Sequence, residues 1–129
     1  METSQIPHCP PRKVLVLLDN LFFAGKINQA ASQTEVKLIY ARRSEHALSL
    51  TRTEHPDQII VDLDAGECEP LKFLTSIKAD ADLQDIPTLG FVSHVNLELQ
   101  QLARNAGCNR IIARSSLDRS LGALFSQNS

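Results

Sequence analysis

Cysteine is scarce in this chain. Cys9, Cys68 and Cys108 are the three present, widely spaced and without a CxxC pair. An odd count at such spacing argues against a disulfide framework and against a structural zinc site. Three thiols in a reducing cytoplasm are the expectation. His8, His46, His55 and His94 are scattered, and no HxxxH or HExxH pair supports a metal cluster. No apolar run is long enough to cross a bilayer. Met1 to Arg12 is polar and Pro-rich and lacks the apolar segment of a signal peptide. Charge of one sign is lacking too: a net −2 gives no overall basic field for nucleic acid.

What is present suits one domain. The 129 residues can bury a core without metal or disulfide staples. The apolar fraction of 43% is slightly low and the charged fraction of 22% is ordinary. Residues 1–11, with Pro7, Pro10 and Pro11, read as a flexible lead-in. Residues 12–126 form the expected domain and 127–129 a frayed tail. Charge is uneven along the chain. Nine acids lie between Glu54 and Asp85 against Lys72 and Lys78, whereas Arg104, Arg110, Arg114 and Arg119 follow Val95 against Glu98 and Asp118.

The chain is organised around Asp57-Gln58-Ile59-Ile60-Val61-Asp62-Leu63-Asp64. Three β-branched residues run unbroken, as in a strand buried on both faces. Asp62 and Asp64 then fall at its carboxyl end. Val14 to Leu18 is a second such run, ending at Asp19. Val36 to Tyr40 carries Lys37 and suits a sheet edge. Thr88 to Val92 follows Pro87, and Arg110 to Ala113 follows Gly107. Between the strands lie helical stripes: Phe23, Ile27, Ala30 and Ala31; Ala47, Leu48 and Thr51; Phe73, Leu74 and Ile77; Leu99, Leu102, Ala103 and Ala106; Leu117, Leu121, Leu124 and Phe125. Ser44 and Asn96 are candidate helix caps, Pro70 suits a first turn, and Gly107 a left-handed stop.

Five βα repeats imply a parallel sheet covered on both faces. Right-handed crossovers and one reversal of winding give a flavodoxin-like α/β sandwich of strand order 2-1-3-4-5. The first and third strands are then neighbours, and Asp19 and Asp62 converge at the carboxyl edge, where such sheets bind ligands. Carboxylates there can hold Mg²⁺ with waters and a phosphate oxygen, or attack a phosphoryl group. Solvated loop acids are the plainer alternative.

From Arg12 to Phe125 the chain resembles a CheY-like receiver domain of bacterial response regulators. The likeness rests on the βα periodicity, the strand-end acids, Ile86-Pro87 before the fourth strand and Ala106-Gly107-Cys108-Asn109 before the fifth. The resemblance implies phosphoryl transfer from a histidine kinase to Asp62. It makes Asp19 a direct Mg²⁺ ligand and Asp64 a ligand through its backbone carbonyl, leaving the Asp64 side chain without a role. Several positions depart from the family. Leu18 stands for the first of the paired acids, Val92 for the Thr or Ser at the end of the fourth strand, and Ile111 for the switch aromatic. Arg114 replaces the Lys, and Ser115 the Pro after it.

These departures predict weak Mg²⁺ binding and no hydroxyl at position 92 to hold a phosphoryl oxygen. Arg114 keeps the charge but not the compact ammonium. It is expected to pair with Asp62 or Asp19, holding the domain in one state. The reading is a degenerate receiver: a cytoplasmic, non-catalytic module acting by protein–protein contact with a histidine kinase or an effector. A homodimer through the fourth helix, fifth strand and fifth helix is a further expectation, with Arg104, Arg110 and Arg119 steering an acidic partner. Neither nucleic acid nor membrane is an expected partner. One alternative is a receiver still phosphorylated on Asp62 with Mg²⁺. Another is a haloacid-dehalogenase-like phosphatase, because Ile59 to Asp64 also resembles that family's hhhDxD signature, with Asp62 as nucleophile and Asp64 as acid/base.

Overall fold

A computed structural model describes residues 12–32, 34–93 and 96–126. The expected lead-in, the tail, Cys9, His8 and His94 lie outside the described residues. Along the chain come β1 (Lys13–Leu17), α1 (Leu21–Ala31), β2 (Lys37–Ala41), α2 (Ser44–Glu54), β3 (Gln58–Asp62) and α3 (Pro70–Ala79). Then follow β4 (Thr88–Val92), α4 (Leu97–Asn105), β5 (Arg110–Ala113) and α5 (Leu117–Ser126). Short 3₁₀ turns at Gly66–Cys68 and Arg114–Ser116 precede α3 and α5.

The five strands are parallel and ordered β2-β1-β3-β4-β5, as the alternating pattern requires. Leu17 pairs with Val61 across β1 and β3, and Asp62 pairs with Phe91 across β3 and β4. The two continuous apolar runs are therefore central, and β2 and β5 are edges. Alternation along each strand feeds two cores. Leu15, Leu17, Ile59, Val61 and Val92 pack with Ala47, Phe73, Leu74, Ile77 and Ala103, from α2, α3 and α4. Val14, Val16, Leu18, Ile60 and Phe91 pack with Phe23, Ile27, Leu121 and Phe125, from α1 and α5.

Local chemistry accounts for the boundaries. Asn20 accepts from the Phe22 and Phe23 amides at the start of α1 (2.8 and 3.3 Å). Asn96 accepts from Leu99 N at the start of α4 (3.1 Å). His55 adopts φ 49° and stops α2 before Pro56. Gly107 takes φ 102°, and an added Cβ would meet the Lys78 side chain. Two expectations are corrected. Ser44 does not cap α2; it is the first helical residue and buried, and Arg43 before it makes no side-chain cap. Leu102 is not part of a buried stripe: it is 46% exposed, and Ala103 is the buried residue of α4. From α4, Ala103 is fully buried and Leu99 packs partly buried against the same core, while Leu102 faces outward.

Candidate functional site

The site is assembled at the carboxyl edge because β1 and β3 are neighbours. β1 ends in Leu18-Asp19 and β3 in Asp62, so the register that pairs Leu17 with Val61 sets Leu18 level with Asp62 and Asp19 just beyond. Asp19 is exposed, whereas Asp62 is only 3% exposed. Burial pushes the Asp62 carboxyl up to about 6. The Asp64 backbone N–H, donating to Asp62 Oδ1 at 3.0 Å, and the charge of Arg114 pull it down, while the charges of Asp64 and Asp19 raise it further. That mutual effect is the electrostatic sign that the acids share one rim.

Arg114 enters this rim from the 3₁₀ turn after β5. Its guanidinium donates to Asp64 Oδ2 at 2.7 Å and comes within 3.9 Å of Asp62 Oδ1. Its planar group lies over the Phe23 ring at 4.8 Å, a cation–π contact that fixes its plane. Phe23 in turn packs edge-on against Phe91, the strand partner of Asp62. Arg114 Nε is buried without a hydrogen-bond partner, so the guanidinium is held chiefly by its far end.

Two sequence expectations change here. Arg114 comes within ion-pair distance of Asp62, as expected, but its closer pair is with Asp64; the turn at Leu63 and Asp64 after β3 carries that carboxylate towards the β4 and β5 loops. The Asp64 side chain therefore has a role of its own. Besides Arg114 it accepts from Ser93 N at 2.8 Å, tying the loops after β3, β4 and β5 together. The receiver resemblance uses Asp64 through its backbone carbonyl and the phosphatase alternative gives its side chain an acid/base role; neither anticipates its pairing with Arg114. The available signal was the coincidence of an acid at 64 with a forked cation, rather than an ammonium, at 114.

No family model matches the chain. The polar-differentiation response regulator DivK of Brucella ovis is 24% identical over 103 residues, 80% of this chain and 84% of DivK. The phosphorylated cyanobacterial phytochrome response regulator RcpA superposes with a TM-score of 0.79 at 19% identity, covering 92% of this chain and 96% of its own. The chemotaxis response regulator CheY4 of Vibrio cholerae gives 0.78 at 16% identity, covering 90% and 97%. The Mn²⁺-bound response regulator Rcp1 gives 0.76 at 18% identity, covering 90% and 93%. The chain shares the fold of these response regulators.

Within this fold, the positions that depart from the receiver pattern are built into the core rather than aimed at the rim. Leu18 is 3% exposed and packs in the α1/α5 core, and Val92 is fully buried in the opposite one. Ile111 is half-buried against the same core as Val92. Among the described residues no group of three or more His, Cys, Asp or Glu side chains could enclose a metal ion. Two carboxylates remain, with Arg114 compensating part of the rim charge, so the site suits at most a divalent ion that keeps most of its waters. Asp62, Asp19 and the Asp64 carbonyl are the groups that would hold it. Cys68 lies near this edge, fully buried, with its thiol pushed up to about 11 by burial; Cys108 is raised in the same way. Both are inert thiols. Arg104, Arg110 and Arg119 are all exposed. Among the described residues no helix is long and apolar enough to cross a membrane.

Proposed function

We propose that this receiver domain is a degenerate signalling module of a two-component or phosphorelay system. In this reading phosphoryl switching at Asp62 is weak or absent, and the domain acts by protein–protein contact, without catalysis, in the cytoplasm. The observation that carries the reading is the Arg114 guanidinium, pinned between Phe23 and Asp64 beside Asp62. A fixed cation already compensates the rim charge that a bound divalent ion would otherwise neutralise. The buried Val92 side chain has no hydroxyl to donate to a phosphoryl oxygen. A carboxylate engaged by Arg114 and by Ser93 N–H is also poorly placed as a proton donor, which disfavours the phosphatase alternative for Asp62 and Asp64.

Mg²⁺ at this rim would supply positive charge to the oxygens of an incoming phosphoryl group. Asp19 and Asp62 would hold it through carboxylates and Asp64 through its carbonyl. Rcp1, which shares the fold, is known with Mn²⁺ bound, and the two carboxylates here make such binding weak by comparison with a site that keeps an acid at position 18. The exposed arginines of α4, β5 and α5 are the surface we assign to a kinase, an effector or a second copy of the chain. Incubation with acetyl phosphate and Mg²⁺, followed by intact mass, tests the reading. No adduct is expected. A phosphoryl adduct that disappears in Asp62→Asn would overturn it in favour of an active receiver.

A further inference from the structure

We propose that the cleft between the opening turns of α1 and α2 binds a nucleoside phosphate. Two cavities meet there, of about 450 Å³ and about 440 Å³, each in the size range of small-ligand sites. Asp19, Tyr40 and Arg42 line both, so they form one cleft with two lobes. The cleft opens on the side of β2, away from Arg114. It shares Leu18 and Asp19 with the acidic rim, but Asp62 does not line it. The inference therefore goes beyond the signalling role and does not depend on phosphoryl transfer.

The first lobe sets Arg42, Arg43 and His46 against Asp19 and Glu67. The three basic side chains make no ion pair or hydrogen bond among the described residues. Two guanidinium forks beside an imidazole match a phosphate group, which takes paired N–H donors. The adjoining α2 begins without a side-chain cap, so its first amides are open towards the same end. The facing carboxylates would repel a bare polyanion. They accept hydrogen bonds readily, however, and so suit the hydroxyls of a sugar. A ligand carrying both groups satisfies both walls.

The second lobe is apolar. Leu18, Leu21 and Ala24 line it with Tyr40, and Leu21 is 87% exposed. A flat base would cover it. The Tyr40 hydroxyl donates to Asn28 Oδ1 at 2.6 Å. That bond orients the Asn28 amide and leaves its two N–H donors free to meet the acceptor edge of a base.

Calorimetric titration of the full chain with ADP and GDP, with adenosine and inorganic diphosphate as fragments, tests the proposal. Saturable binding of at least one nucleotide is expected, tighter than either fragment. The double substitution Arg42→Ala/Arg43→Ala should weaken it about tenfold or more. Leu21→Ala should weaken the nucleotide and leave inorganic diphosphate unchanged. Glu98→Gln, exposed on α4, should have no effect. All of these substitutions are at exposed positions, and an unchanged melting temperature separates lost binding from lost fold. Amide shifts confined to Leu21, Tyr40 and Arg43 on adding the nucleotide would give the same answer without a variant. Absence of binding by both nucleotides would overturn the proposal. So would diphosphate binding equal to the nucleotide's, which marks an adventitious ion only, or affinity unchanged in the double variant.

Discussion

The two ends of the sheet handle polar groups in opposite ways. At the amino edge, Asn109 Oδ1 accepts from Thr88 N at 2.8 Å and from its hydroxyl at 3.1 Å, and Asn109 N donates back to Thr88 Oγ1 at 2.9 Å. Asp57 accepts from Lys13 N at 3.0 Å, and Lys13 reaches Glu54 at 3.2 Å. These are local pairs that close strand starts. At the carboxyl edge a buried carboxylate is kept against its own preference, beside two further acids and one forked cation. An edge built only for stability would resemble the first. The contrast marks the second as the working end, in keeping with the general association of perturbed carboxyls with functional sites.

The sharpest way to break that contrast is to remove the buried charge. Asp62 has a folded pKa of about 6 against an ordinary 3.8. Its ionisation is therefore costly to the fold. The cost is absent below the ordinary pKa and complete once the pH passes the folded one. Asp62→Asn should stabilise the domain by up to about 3 kcal/mol at pH 8 and by almost nothing near pH 4. Melting curves across that range would expose the opposite slope if the carboxyl were instead a stabilising partner of Arg114. At the amino edge, Gly107→Ala should cost about 1–3 kcal/mol at every pH, because φ 102° and the Lys78 side chain both oppose a Cβ. Urea unfolding at two pH values checks that independence.

A smaller effect should come from Asp64→Asn. It keeps an acceptor for Ser93 N but weakens the Arg114 pair, and about 1 kcal/mol of destabilisation is expected. Freed from that pair, Arg114 should swing closer to Asp62, so the Asp62 titration, read by NMR, should move down. A titration that stays in place would mean that neither the lost Asp64 charge nor a closer Arg114 acts on Asp62. The smallest effect on stability, within about 0.5 kcal/mol, belongs to charge reversal at exposed Arg104 and Arg119. Those changes should instead abolish partner binding or self-association measured by ultracentrifugation. Unchanged association would remove these arginines from the interface.

Much of this architecture was legible in the chain itself. Unbroken β-branched runs separated by helical stripes required a parallel sheet, and winding rules then placed Asp19 beside Asp62. What stayed hidden depends on side-chain reach across loops. Periodicity reports which face a residue occupies, not how far a carboxylate two residues past a strand can extend. Asp64 therefore looked dispensable, although it joins three loops. The capping error at Ser44 has a similar origin: a hydroxyl one residue inside the helix carries the same letter as one at its threshold. Leu102 misled because the stripe on α4 was wider than the contact the sheet allows it.

The stacking of Arg114 on Phe23 has a practical consequence. A proton held above an aromatic ring resonates upfield, and one that leaves the ring loses that displacement. In a chain without tryptophan, the side-chain signals of a single arginine thus become a built-in spectroscopic gauge. They would register any event at the rim, whether an ion arrives, a phosphoryl group attaches or a partner docks, without a label being introduced.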